Sequence, residues 1–70
     1  MAGPTFALGV ADVRAGGRTF HPDYDQWSTN KQWAYERGRA WAVIAPRNVQ
    51  LKMAGKINPD ALRWFTGEII

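Results

Sequence analysis

Gly38 lies in the middle of the longest helical pattern of the chain, where a glycine weakens a helix by roughly 0.5–1 kcal/mol relative to alanine. Small residues recur around it, since Ala34, Gly38, Ala42 and Ala45 follow at spacings of four, four and three. This spacing places them in one stripe along a helix. The stripe predicts close approach of another helix backbone, and it favours architectures in which two helices pack tightly.

Two different helices could pack against that stripe: a helix of the same chain or a helix of a second copy. Gly9 offers a matching notch in an earlier helical segment, which favours a hairpin within one chain, with Gly9 against Gly38. The alternative is a homodimer with Gly9, Ala34, Gly38 and Ala42 as its helix seam. Both hold if hairpins form first and then pair. A two-helix hairpin alone cannot surround its apolar faces, so we expect a dimer.

The first helix is predicted over about residues 4 to 15. Pro4 suits the first turn of a helix, and Phe6 and Val10 recur on one face. Gly16, followed by a second glycine, is a strong helix end. The next stretch, residues 17 to 29, is predicted to be a loop whose large aromatic side chains fold back over the helices.

The second helix is predicted over about residues 30 to 45. Thr29 and Gln32 form a capping-box pattern, and Pro46 disfavours helical geometry in the residue before it. We therefore expect a helix–loop–helix arrangement.

The last third of the chain changes its pattern. Residues 49 to 53 alternate apolar and polar, which predicts a short extended segment with no visible mate in this chain. Asn58 then caps a short helix predicted over residues 59 to 65, which Gly67 closes. The fold class expected is mainly α: a small helical hairpin, an extended segment and a short C-terminal helix, in a single domain over residues 1–70.

Composition limits how such a chain is stabilised. It has 70 residues, no cysteine and one histidine, so disulfides are excluded and a structural zinc site is not expected. Tight helix packing and self-association remain as sources of stability. No signal-peptide pattern or membrane-length apolar run is present in the sequence, which predicts a cytoplasmic protein without a membrane partner.

The sequence offers little for catalysis. Ser28, His21 and Asp23 supply hydrolase residue types, but they lie on a predicted loop that does not fix their geometry. The pair Gly16 and Gly17 ends a helix instead of opening one, so it is not a phosphate-binding loop. We expect no enzyme activity, no metal and no cofactor.

Binding is better supported, because bases and aromatics mix on the second helix. The net charge is +3, and residues 37 to 57 contain five bases and no acid, which favours an acidic partner. The predicted partner-binding surface, or its immediate support, consists of Trp33, Tyr35, Arg37, Arg39 and Trp41, extended by Arg47 and Lys52. Among the aromatics we expect Trp33 and Trp41 to point towards packing, and Arg37 and Arg39 towards a partner or solvent. Such residues suit a protein hot spot or the stacking of RNA bases.

Residues 9 to 41 resemble the ribosome modulation factor group of short bacterial proteins. The similarity lies in "GVADVRAGGR" (Gly9, Ala15, Gly16, Arg18), in Pro22 and Tyr24, and in "QW…GR" (Gln32, Trp33, Gly38, Arg39). The resemblance implies two short helices and binding to the ribosome; residues 46 to 70 have no counterpart.

In size, aromatic density and lack of catalytic motifs, the chain also looks like small phage-encoded inhibitors. That likeness implies a protein in the host cytoplasm that occupies a host protein surface, such as a defence complex, a transcription regulator or a motor. A ribosome- or RNA-associated modulator is the first alternative, and a structural assembly subunit is the second.

Overall fold

A computed structural model describes residues 3–65 and contains two α-helices, a β-hairpin and two short 3-10 helices. In chain order the elements are α1 (Pro4–Arg14), a 3-10 helix (Tyr24–Gln26), α2 (Thr29–Ile44), β1 (Lys52–Met53), β2 (Lys56–Ile57) and a C-terminal 3-10 helix (Pro59–Trp64). The mainly helical fold and its helix hairpin are confirmed.

The helices α1 and α2 pack backbone to backbone at two glycines. A Cβ atom on Gly38 would overlap the carbonyl oxygen of Phe6 and lie 2.9 Å from its carbonyl carbon. A Cβ atom on Gly9 would overlap the carbonyl oxygen of Tyr35 and lie 3.0 Å from the amide nitrogen of Arg39. Gly38 therefore lies against its own chain, and both glycines of the predicted helix seam, Gly9 and Gly38, are used within the hairpin.

One buried cluster joins the hairpin to the C-terminal third of the chain. Its buried members are Phe6, Val10, Trp41, Ala45, Leu51 and Ala61. Trp41 is 0% exposed, and its indole N–H donates to the carbonyl oxygen of Ala61 at 3.1 Å. Phe65 stacks on Phe6, with ring centroids 5.5 Å apart. The C-terminal segment thus covers one apolar side that a bare helix hairpin leaves open.

The start of α2 differs from the prediction by one residue. Ser28, and not Thr29, is the N-cap, and its hydroxyl accepts a hydrogen bond from the backbone N–H of Lys31 at 3.3 Å. Both residues can cap a helix, and the extended backbone of Ser28 decides between them. The helix ends at Ile44, before Ala45 and Pro46, as the proline predicts.

The prediction that the extended segment has no mate in the chain is wrong. Strand β1 pairs with β2, with Met53 opposite Lys56. The two residues between them, Ala54 and Gly55, have φ values of 52° and 77°, as the primed two-residue turn of a β-hairpin requires. Alanine is unusual in this conformation, so the sequence carries only half of the usual turn signal.

The short C-terminal helix is a 3-10 helix, Pro59–Trp64. Asn58 caps it as predicted, because its side-chain oxygen accepts from the backbone N–H of Asp60 at 3.1 Å. The predicted stop at Gly67 lies outside the described residues.

Replacing Gly38 with alanine tests the backbone contact. Alanine normally stabilises a helix interior, but here its methyl group must displace the backbone of α1. We expect Gly38→Ala to lower the free energy of unfolding by about 1–3 kcal/mol, measured by urea denaturation. Gly3→Ala is the control, because a Cβ atom there meets nothing within 4 Å. Equal or higher stability of Gly38→Ala would contradict the packing described.

Candidate partner-binding surface

An exposed tryptophan with an arginine stacked on it stands out on α2. Trp33 is 53% exposed, although tryptophan is usually well buried. The guanidinium carbon of Arg37, one helical turn later, lies 3.4 Å from the centre of the Trp33 ring. The Nε atom of Arg37 is buried and has no hydrogen-bond partner among the described residues. We call this pair the Trp33–Arg37 stack.

The stack lies on a face of α2 that is largely exposed. Helical spacing places Trp33, Arg37, Ala40 and Ile44 in one row. Glu36 and Val43 flank the row, and Val43 is 74% exposed. We call the helix surface formed by Thr29, Trp33, Glu36, Arg37, Ala40, Val43 and Ile44 the outer face of α2. It joins an aromatic ring, aliphatic side chains and one charge of each sign.

The two tryptophans of α2 have different environments. Trp41 packs inside the core, as expected, whereas the expectation that Trp33 also points towards packing is wrong. The C-terminal 3-10 helix covers Trp41 through Ala61, while Trp33 lies about two turns earlier in the helix and on another side. Trp41 is therefore a core residue, and Trp33 lies exposed at the surface of α2.

Tyr35 is also interior, and it ties the loop to both helices. Its hydroxyl donates to the carboxylate of Asp12 on α1 and accepts from the backbone N–H of His21 at 2.9 Å. The loop aromatics Phe20 and Trp27 meet its ring edge to face, with centroids 5.7 and 5.2 Å away. The predicted folding back of this loop is confirmed, and Tyr35 is 0% exposed.

The Arg39 side chain contacts the same loop. Its guanidinium is 3.4 Å from the Tyr35 hydroxyl, 3.4 Å from the carbonyl oxygen of Gly17 and 3.5 Å from that of Thr19. It also lies 4.7 Å from the centre of the Phe20 ring. These contacts are long, but all three oxygens hold Arg39 beside the loop.

The remaining predicted contact residues lie after α2. Arg47 is exposed and donates to the carbonyl oxygen of Arg14 at 2.8 Å, which ties it to the end of α1. Lys52 is exposed on β1, with Lys56 on the neighbouring strand. Of the seven predicted contact residues, Trp33 and Arg37 form the stack.

Five outer-face residues are absent from the predicted surface: Thr29, Glu36, Ala40, Val43 and Ile44. The i, i+7 and i+11 spacing from Trp33 identifies Ala40 and Ile44 in the sequence. Whether these residues are exposed or are buried together with Trp41 depends on where the C-terminal segment packs. Helical spacing alone does not give that position.

The residue types expected of a hydrolase are used in local structure. His21 Nδ1 accepts from the backbone N–H of Asp23 at 3.0 Å, and the Ser28 hydroxyl caps α2.

Comparison of the chain with protein-family models, with curated proteins and with solved structures found no match. Among the described residues, no helix is both long enough and apolar enough to cross a membrane.

Removal of the Tyr35 hydroxyl tests its role as the tie between loop and helices. In Tyr35→Phe the Asp12 carboxylate and the His21 N–H lose their partner in a partly buried place. We expect a loss of about 1–3 kcal/mol in the free energy of unfolding, measured by urea denaturation. Tyr24→Phe is the matched control, because it removes a hydroxyl that bonds Glu36 at the surface. An equal effect of both changes would argue against a special role for Tyr35.

Both tyrosines should make the fold sensitive to alkaline pH. Burial and the bond to Asp12 raise the pKa of Tyr35, while the hydrogen bond to Glu36, followed by burial, raises the pKa of Tyr24 to about 12. A folded-state pKa above the unfolded value near 10 means that the folded chain holds these protons more tightly. The contribution of Tyr24 is complete below pH 10 and is lost as the pH rises towards 12, and that of Tyr35 is likewise lost as the pH rises above 10. We expect the urea midpoint to fall over that window, and to fall less in Tyr24→Phe and in Tyr35→Phe.

Proposed function

We propose that this chain is a small non-enzymatic inhibitor that occupies an acidic surface of another protein, with the outer face of α2 as its contact surface. The observation that carries the proposal is the exposure of Trp33 beneath the guanidinium of Arg37. Tryptophan and arginine dominate the energetic centres of protein interfaces. On a host protein, such binding blocks whatever normally uses that surface.

The energy available at Trp33 is large for one residue. A tryptophan side chain has roughly 200 Å² of surface, and just over half of it is exposed here. Burial of about 100 Å² at 25 cal/mol per Å² is worth about 2.5 kcal/mol. Stacking already restricts the Arg37 side chain, so less conformational entropy is lost when it binds a carboxylate.

The outer face itself carries one acid and one base, so it is the charge elsewhere on the chain that supports an acidic partner. Residues 37 to 57 contain five bases and no acid, and Arg47, Lys52 and Lys56 are exposed. Exposed bases of this kind speed the encounter with an acidic surface and make it dependent on salt.

Capture from a bacterial lysate tests the proposal. We expect nuclease-treated lysate to yield a protein that binds the wild-type chain and is retained at least tenfold less by Trp33→Ala and by Arg37→Ala. Arg63→Ala is the matched control, because it removes an exposed base from the C-terminal 3-10 helix and leaves α2 unchanged. Equal capture by all four proteins would contradict the assignment of the outer face of α2.

An RNA- or ribosome-associated modulator is the second candidate, and the same stack favours it. A guanidinium held on an exposed ring offers its other face to a nucleic-acid base. Lys52 and Lys56 of the β-hairpin are exposed and can bind phosphates. This candidate predicts that nuclease abolishes capture, that ribosomes or rRNA are recovered, and that binding falls steeply with salt. Recovery of rRNA alone would replace the first proposal with the second.

A further inference from the structure

We infer that two copies of the chain pair through the outer face of α2, with the two helices antiparallel about a two-fold axis. The inference concerns the same face as the proposed function, and it names a second copy of the chain as an occupant of that face. The two proposals have separate tests, although a second copy and another protein compete for this face.

The small-residue stripe is not the seam of this dimer. Gly9 and Gly38 already lie against backbone atoms of the same chain, so no second helix can approach them. A dimer of intact hairpins must use another surface. The outer face of α2 is the exposed helical surface that carries Trp33, Val43 and Ile44, which are 53%, 74% and 39% exposed.

The centre of α2 matches itself in the antiparallel direction, whereas towards the helix ends Ile44 falls opposite Thr29 and Val43 opposite Asn30. An axis midway along the helix, between Glu36 and Arg37, overlaps all of Thr29–Ile44 with its copy. It places Glu36 of each copy opposite Arg37 of the other, and Trp33 opposite Ala40. A large ring then meets a small side chain that is half-buried against the core of its own chain, as interdigitated helix packing needs.

The charges on the outer face favour antiparallel over parallel pairing of the two copies. The outer face has one acid and one base side by side, so it is neutral as a whole and complementary to itself after a two-fold rotation. A parallel pair in register would oppose Glu36 to Glu36 and Arg37 to Arg37. Both groups are also held in place, Glu36 by the hydroxyl of Tyr24 and Arg37 by the ring of Trp33.

The size of the face suits a reversible dimer. Helix α2 has 16 residues and is therefore about 24 Å long. A specific interface at the low end buries about 600 Å² per copy, roughly one eighth of the 4796 Å² surface of the chain. We therefore expect a dimer that dissociates on dilution. Pairing and binding of another protein compete, because both cover Trp33.

Sedimentation equilibrium of the purified chain over a wide concentration range tests the inference. We expect a monomer–dimer equilibrium in the wild type. Glu36→Arg and Arg37→Glu should each weaken it at least tenfold, because like charges then face each other. The double variant Glu36→Arg with Arg37→Glu should restore it to within about threefold, since opposite charges meet again.

Two controls and one further interface variant separate folding from pairing. Arg63→Glu changes an exposed charge away from α2 and should leave dimerisation unchanged, and Tyr24→Phe reports the effect of losing the bond to Glu36. Trp33→Ala alters an exposed side chain, so it should keep the circular dichroism spectrum and lose dimerisation. A wild type that stays monomeric up to its solubility limit, or a dimer that ignores both charge reversals, would overturn the inference. Neither result bears on capture of another protein from lysate, so the two proposals fail separately.

Discussion

The backbones of α1 and α2 touch because Gly9 and Gly38 leave no side chain between them. This contact sets how closely the two helices approach, and the rest of the structure is built around the resulting hairpin. It brings Phe6 and Val10 of α1 into one cluster with Trp41 of α2. The helix propensity lost at two interior glycines, about 1 kcal/mol each, is the cost of that packing.

With α1 in place, two further sides of α2 are covered by different segments of the chain, and a third side is not. The loop before α2 packs around Tyr35 through aromatic rings and through a hydroxyl shared with Asp12. The C-terminal segment closes over Trp41. The outer face receives no such cover from the described residues and keeps Trp33 half in solvent. A chain without cysteine thus relies on three separate contacts to α2 for its core.

Local signals in the sequence predict where the helices begin and end, but they do not predict which face of each helix is buried. Gly38 and its alanines identify a helix seam, and Pro46 and Asn58 mark ends that the structure reproduces. Trp33 and Trp41 are two turns apart and look equivalent in a helical pattern. Which of them is buried depends on where the C-terminal segment packs on α2. That packing is a tertiary property, which a local sequence pattern does not contain. The β-hairpin was missed for another reason: its strands have two residues each, and alanine occupies a turn position where asparagine or glycine is usual.

The exposure of Trp33 is hard to account for by stability alone. A polar residue at this position of α2 would keep the helix and avoid about 100 Å² of exposed ring, and the core clustered on Trp41 does not include Trp33. The Arg37 stack covers part of one ring face, but it leaves the charge at the edge of the surface. An acidic protein and a second copy of the chain satisfy both features in the same way, by placing a carboxylate beside Arg37 and apolar atoms over the ring. They differ in symmetry. In the dimer, Glu36 of the second copy supplies the carboxylate across a two-fold axis. Another protein must supply a carboxylate of its own and must displace the second copy from the face.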